Sequence, residues 1–230
     1  MSVTLNENAL KDFVIYTESF IFCGEIMNDI LYDIACMYSA LKNVTYKVVL
    51  GRKGQSYELM LHFPADSFFH LAGLHYLTDL NFKTTNKTLI FRKILNHELT
   101  IEDIQKSVFY VKYDIEDRLS SLHLLCEIIE SADAKYLINQ NVYRTYTTII
   151  ADYLMEYQKE SEVFYLFCFA VRQNPIFVNE CICRSFFRKN KTDFCRGTMV
   201  AKVLLIQRIM NMGTEVEKQE IIYKNPVYHE

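Results

Sequence analysis

The sequence predicts an α+β fold in which N-terminal helices and a β-hairpin precede a C-terminal antiparallel β-meander that packs on the helices. In the first half of the chain, apolar residues recur mostly at the spacing of an amphipathic helix. From residue 134 onward, runs rich in Tyr, Phe, Val and Ile alternate with short polar separators. Helices followed by strands are typical of an α+β domain. The length of 230 residues predicts one such domain at 1–209, with a polar C-terminal tail at 210–230.

The first predicted elements are a helical region and a hairpin. Residues 8–41 form one bent helix or two, since their apolar residues recur at helical spacing. Two β-rich runs, 44–50 and 56–63, flank the glycine-containing turn Gly51–Gly54. Two such runs around a turn predict a β-hairpin.

Further helices are predicted between the hairpin and residue 130. Pro64 ends the second strand, and either Asp66 or Ser67 can cap a helix that begins with the next residues. Thr100 and Asp103 form a capping box in which aspartate replaces the usual glutamate. The other helical stretches are 89–95 and 115–129, and the strands of the meander are 134–138, 147–157, 163–171, 177–187 and 199–209.

Composition excludes several classes of protein. Half of the residues are hydrophobic and the formal net charge is −3, so the chain is neither disordered nor basic over its whole surface. Its seven cysteines, an odd number that lies mostly in apolar runs, predict free thiols in a reducing cytoplasmic compartment. We expect no membrane association, because no run reaches the roughly 18 apolar residues of a membrane helix and the N-terminus lacks the basic start of a secretory signal.

The spacing of candidate ligands predicts neither a metal nor a cofactor. The histidines do not form an HExxH motif. The cysteines at 181, 183 and 195 lack the paired CxxC spacing of a structural zinc site. The chain also lacks a P-loop and a GxGxxG motif, which excludes nucleotide binding of those two types.

Two stretches of the sequence resemble a known family of nucleases. The first, FPADSFFHLAGL at 63–74, places an HLxGL helix directly after a hairpin strand. The second begins with ADYL at 151–154 and continues through an aromatic strand to CRSFF at 183–187 and to LLI at 204–206. Together they resemble the fourth phage-type group of Barnase–EndoU–colicin–RelE-like nuclease domains over residues 8–209. The resemblance implies a small α+β domain of phage or mobile-element origin that cleaves RNA without a metal.

A metal-independent ribonuclease needs a base for the 2′-hydroxyl, a cation for the charged phosphorane and an acid for the leaving 5′-oxygen. Its product is a 2′,3′-cyclic phosphate. His70 is the candidate acid or base, since histidine titrates near neutral pH. The other candidate catalytic residues, on the phosphate side, are Arg184, Ser185 and Lys202. His75 would lie about 140° round a continuous helix from His70, so we do not expect both in one small site.

A basic segment favours RNA as the partner. Between Arg184 and Arg208 the chain has seven Lys and Arg residues and a single acidic residue, Asp193. Such a local patch can bind a polyanion, and aromatic neighbours can stack on its bases. The alternative is an ordinary solvated turn, with a surface ion pair between Arg184 and Glu180, and the sequence favours neither explanation of these charges. The candidate RNA-binding residues are Arg144, Phe187, Arg188, Lys189, Lys191 and Arg196.

Three functions stay open on sequence grounds. The first is a metal-independent endoribonuclease with a toxin role, for which a cognate antitoxin or a host or phage protein is a further partner. The second is a catalytically inactive relative that binds RNA or a protein as an inhibitor in phage–host conflict. The third is a structural or packaging accessory of a phage. Cleavage of RNA in the presence of EDTA distinguishes the first from the other two.

Overall fold

The computed structural model describes residues 29–138, 151–171, 179–190, 192–195 and 198–229. The helices in these ranges are α1 (Ile30–Leu41), α2 (Phe68–Leu71), α3 (Lys87–Leu95), α4 (Ile101–Gln105), α5 (Phe109–Lys112), α6 (Ile115–Ser121) and α7 (Leu125–Glu130). Single 3₁₀ turns lie at Ala65–Ser67, Leu74–Tyr76 and Leu122–Leu124. Of the helices in the described ranges, none is both long and apolar enough to cross a membrane.

Polar side chains cap three of the helices. Asp29 precedes α1, Asn86 precedes α3, and each accepts hydrogen bonds from backbone N–H groups of the following turn. The predicted capping box between Thr100 and Asp103 is present at the start of α4. These caps satisfy N–H groups that a helix leaves without partners at its start. The cap at Asn86 also makes Lys87 the first residue of α3.

Eight strands form one sheet in the described part of the chain. They are β1 (Val44–Arg52), β2 (Gln55–His62), β3 (Lys135–Ile138), β4 (Tyr153–Lys159), β5 (Glu162–Ala170), β6 (Glu180–Arg188), β7 (Met199–Met210) and β8 (Lys218–Lys224). The predicted hairpin is present as β1 and β2. Lys53 and Gly54 between them both have positive φ, which is the backbone of a type I′ turn.

The order of the strands contradicts the predicted fold class. The sheet runs β1-β2-β6-β5-β4-β3-β7, and β7 pairs back onto β1, so seven strands close into a barrel. The barrel is mixed, because β2 and β6 are parallel. The prediction of an α+β domain with a C-terminal antiparallel meander packed on helices is therefore wrong, and the fold is mostly β. Alternating side chains identify a strand but not its partners, and the hairpin is far along the chain from the strand that it joins.

The segment 210–230, predicted as a polar tail, contains the eighth strand. β8 pairs antiparallel with the second half of β7, at Leu205–Met210. The short strand β3 pairs with the beginning of β7, at Met199–Ala201. Thus β8 covers the part of β7 that β3 leaves open, which protects backbone groups that an unpaired edge would expose.

The helices and the barrel share one main hydrophobic core. Apolar residues of α1, α3, α6 and α7 join this core with strand residues such as Val48, Leu61 and Phe186. Helices α2 and α6 both pack on β6. This packing brings the HLxGL segment against the strand that carries Arg184, and it thereby positions the candidate site.

Candidate active site

The HLxGL segment brings two histidines together. Helix α2 ends at Leu71, and Gly73 has a left-handed backbone with a φ of +73°, which only glycine adopts without strain. The chain then reverses into the 3₁₀ turn Leu74–Tyr76. As a result, the imidazole rings of His70 and His75 lie 4.9 Å apart, centroid to centroid. The separation expected from a continuous helix does not occur, because the helix ends before His75.

Gly73 also allows a close approach between this turn and α6. A Cβ atom at Gly73 would lie 2.9 Å from Cδ of Arg118 and 2.9 Å from Cδ1 of Ile115. We expect Gly73→Ala to lower the free energy of unfolding by about 1–3 kcal/mol, as measured by urea denaturation. Gly213→Ala is the matched control, since Gly213 has a similar φ of +78° but no atom within 4 Å of its added Cβ. An equal loss in both variants would contradict a role for the contact with α6.

Lys87 lies directly against His70. Its Nζ donates a hydrogen bond to Nε2 of His70 at 2.7 Å. Burial lowers the pKa of His70 below its ordinary value, and the charges of Lys87 and Arg184 lower it further, whereas Asp66 opposes them. His70 is therefore neutral at pH 7, and its Nε2 lone pair points at a cation.

Arg184 lies at a β-bulge in β6. The pairing of β5 with β6 shifts between Phe167 and Cys168, and Arg184 is the extra residue on the β6 side. A bulge redirects a side chain, and bulges are common beside active sites. Arg184 is exposed, yet its charge acts on His70, because α2 packs on β6. The structure thus brings these two predicted residues to the same place.

Arg118 of α6 is held between two aromatic rings beside the histidines. Its guanidinium carbon lies 5.0 Å from the ring centroid of Tyr76 and 5.1 Å from that of Phe187, which is the geometry of a cation–π contact. Nη1 also donates to a backbone carbonyl of β6 at 3.4 Å. Burial, the neighbouring His70 and the charge of Arg118 together lower the pKa of His75 to about 4. His75 is therefore also neutral at pH 7.

Sequence patterns did not indicate Lys87 or Arg118 as site residues. Asn86 is a recognisable N-cap, but a cap identifies the start of a helix and not what the helix touches. Arg118 follows two acidic residues in a short helix, and no local signal distinguishes it from an ordinary surface arginine. Both enter the site only through the packing of α2, α3 and α6.

The remaining predicted catalytic residues lie in two different places. Ser185 is next to Arg184 on β6 and is half-buried. Lys202 is exposed on β7, where it pairs with Gly51 of β1. Two strands separate β7 from β6 on one side of the barrel, and three separate them on the other. Lys202 therefore lies on a strand that is not adjacent to the strand that carries Arg184.

Two of the predicted RNA-binding residues have acidic partners. Arg188 forms ion pairs with Asp117 and Glu162. Lys189 Nζ lies 3.8 Å from a carboxylate oxygen of Glu156. These pairs offset part of the positive charge that the sequence concentrates in this segment.

A third predicted RNA-binding residue, Phe187, belongs to an aromatic cluster. Its ring stacks on that of Phe167, with centroids 5.4 Å apart, and meets the ring of Phe194 at 5.5 Å. The ring of Phe187 is thus already in contact with two aromatic rings and with Arg118. The other three predicted residues, Arg144, Lys191 and Arg196, lie outside the described residues.

One group of possible metal ligands lies away from the histidines. Glu156, Asp193 and Cys195 each offer a ligand atom, and these atoms lie within 4.8 Å of one another. However, Nζ of Lys135 lies 2.9 Å from Glu156, and Nζ of Lys189 lies 3.8 Å from it. Two ammonium groups already offset the charge that would attract a cation to this carboxylate.

Comparison with known proteins identifies one family. The family model described as "phage-Barnase-EndoU-ColicinE5/D-RelE like nuclease4" matches residues 30–224. No curated protein and no solved structure matches the chain. The matched residues include α2, α3 and β6, which carry His70, Lys87 and Arg184. A match over most of the chain shows that this protein belongs to the phage Barnase–EndoU–colicin E5/D–RelE-like nuclease family.

Proposed function

We propose that the protein is a metal-independent endoribonuclease, which cleaves RNA by attack of the 2′-hydroxyl on the adjacent phosphate. The observation that supports this proposal is a neutral His70 hydrogen-bonded to Lys87 and close to the exposed Arg184. The histidine can accept a proton, and the two cations can hold a phosphate. Membership of a nuclease family supports a nucleic acid as the substrate.

The proposed reaction uses these groups in turn. The phosphodiester binds Lys87 and Arg184, which draws the ammonium group away from Nε2 of His70. The uncovered Nε2 accepts the proton of the 2′-hydroxyl while that oxygen bonds to phosphorus. The bond from phosphorus to the 5′-oxygen breaks, Lys87 protonates the leaving oxygen, and His70 returns its proton to Lys87. The products are a 2′,3′-cyclic phosphate and a free 5′-hydroxyl.

A bound phosphate also makes His70 a better base. In the free protein, the positive charges of Lys87 and Arg184 contribute to the low pKa of His70. A phosphate between these cations offsets their effect, so the pKa of His70 rises toward neutrality in the complex. A general base is most effective when its pKa lies near the working pH.

Digestion of labelled RNA in the presence of EDTA tests the proposal. We expect fragments that end in a 2′,3′-cyclic phosphate, while DNA of the same sequence stays intact because it lacks the 2′-hydroxyl. Cleavage that requires an added divalent metal, or fragments that end in a 3′-hydroxyl, would contradict the mechanism. Binding of RNA without cleavage would instead identify a catalytically inactive relative.

The same activity would make the protein a toxin for a cell that contains it unprotected. An RNase in the cytoplasm meets cellular RNA directly, so a cognate antitoxin or another inhibitory protein is its expected partner. Induced expression in bacteria tests this role. Growth arrest that His70→Ala relieves would support it, and normal growth during expression of an enzyme that is active in vitro would contradict it.

The low pKa of His75 predicts a fold that is less stable in acid. This pKa is about 4 in the folded protein and roughly 6.5 in an unfolded chain, so the unfolded chain binds more protons between these values. The free energy of unfolding is therefore expected to fall as the pH drops from about 6.5 toward 4. Urea denaturation between pH 7 and pH 5 measures this decrease.

His75→Asn is expected to make this decrease smaller, because the substituted side chain does not titrate. Part of the decrease should persist, since the pKa values of His62 and His70 are also lowered. The same dependence on pH in the variant and in the wild type would contradict the assignment to His75.

A further inference from the structure

A cavity of about 430 Å³ lies beside the two histidines. Residues of α2, the turn Leu74–Tyr76, the loop that follows it and the start of α3 form its walls. Most of the lining is apolar and includes the rings of Phe69 and Phe82. The polar groups of the lining include Asn81, Thr84, Thr85 and His75.

We propose that this cavity binds one nucleobase of the RNA substrate and selects bases that carry a carbonyl oxygen. This inference rests on the proposed ribonuclease function, and it adds the specificity of the same site.

The size and lining of the cavity fit a single neutral heterocycle. Its volume of about 430 Å³ is at the small end of the usual range for ligand sites. The rings of Phe69 and Phe82 meet edge to face, with centroids 5.7 Å apart, and aromatic rings are common partners of bases splayed out from single-stranded RNA. Apart from the neutral His75, the lining has no ionisable side chain. A neutral base therefore suits the cavity better than an anion does.

Hydrogen-bonding groups around the cavity are available to a ligand. Oδ1 of Asn81 accepts a hydrogen bond from the N–H of Lys83 at 2.9 Å, which leaves its amide NH₂ as a donor. The hydroxyl of Thr85 is a second donor. Such donors match a carbonyl oxygen, which uracil, guanine and cytosine carry and adenine lacks.

The cavity adjoins the proposed catalytic residues through His75. His75 lines the cavity, and its ring centroid lies 4.9 Å from that of His70. His70 in turn contacts Lys87. A nucleotide whose phosphate is held at Lys87 and Arg184 therefore has its base within reach of the cavity.

Cleavage of an RNA library that contains all dinucleotide steps tests the proposed specificity. We expect the wild type to cut at sites with adenine on one side of the bond about tenfold more slowly than at sites with the other bases. In Thr85→Val and in Asn81→Ala, the rates at sites with and without adenine should become nearly equal. Asn190→Ala is the matched control and should keep the discrimination, because Asn190 makes the same kind of turn bond, to Thr192 at 3.0 Å, outside the cavity.

Binding of a nucleotide that cannot be cleaved separates this inference from the proposed function. We expect 2′-deoxyuridine 3′-monophosphate to shift the NMR signals of the His75 imidazole, and the adenine analogue to bind about tenfold more weakly. Such binding without any cleavage of RNA would refute the ribonuclease and retain the base site. Cleavage of RNA with no base preference, in the wild type and the variants alike, and no shift at His75 would overturn the base site alone.

Discussion

Replacement of His70 by alanine is expected to lower kcat/KM for RNA cleavage by a factor of about 10²–10⁴. His70 is the proposed acceptor of the 2′-hydroxyl proton, and its Nε2 is the atom that Lys87 approaches to 2.7 Å. Alanine removes this acceptor and leaves Lys87 and Arg184 in place to bind the phosphate. Single-turnover cleavage of a labelled RNA in EDTA measures the loss separately from binding.

His123→Ala is the matched control for this prediction. His123 is exposed in the 3₁₀ turn after α6, so the variant should cleave RNA at the rate of the wild type. His70→Ala should still unfold cooperatively in urea, since His70 is only half-buried. A folded His70→Ala variant that loses less than tenfold in rate would contradict the acid–base role.

Replacement of Arg184 by alanine is expected to lower kcat/KM by a factor of about 10²–10³. Its guanidinium is the proposed partner of the phosphate oxygens that gain charge in the transition state. Because Arg184 is exposed at a bulge, its removal should change the free energy of unfolding by no more than about 0.5 kcal/mol. Initial rates at several RNA concentrations, together with a urea titration, measure both quantities.

Two further variants sharpen the test of Arg184. Arg188→Ala is the matched control from the same strand, and it should lose much less activity because Asp117 and Glu162 already pair with Arg188. Arg184→Lys should recover only part of the rate, since lysine keeps the charge but cannot form a bidentate contact with phosphate. Equal losses in Arg184→Ala and Arg188→Ala would indicate a general effect of charge and contradict a specific role.

Local elements of the fold could be predicted from the sequence. The β1–β2 hairpin and the capping box at Thr100 and Asp103 are present as predicted. Both depend on residues that are neighbours in the chain, so their turn geometry and hydrogen bonds are encoded by short stretches of sequence.

The connectivity of the sheet could not be predicted in the same way. A strand read as part of a meander was expected to pair with its neighbours in sequence, but β2 pairs in parallel with β6, and β7 closes the barrel onto β1. These contacts join residues that are distant in the chain, and alternation does not specify such partners. The separation of Lys202 on β7 from Arg184 on β6 follows directly from this closure.

In the candidate site, too, local features could be predicted from the sequence and long-range contacts could not. The HLxGL pattern singled out His70 as a candidate and contributed to the prediction of a nuclease family, because both depend on residue identity and short spacing. The left-handed backbone of Gly73, which returns His75 to His70, required the structure. So did the bulge that redirects Arg184.

By itself, the sequence determined the local elements such as the β1–β2 hairpin and the capping box, the family to which the chain belongs and the histidine to test first. Only the tertiary structure decided which cations meet that histidine. The contact of Lys87 with His70 and the electrostatic effects of Arg118 and Arg184 on the two imidazoles arise because α2 and α6 pack on β6 and α3 packs on α2. Electrostatic effects on a pKa depend on distance in space and on burial, and neither quantity is a local property of the chain.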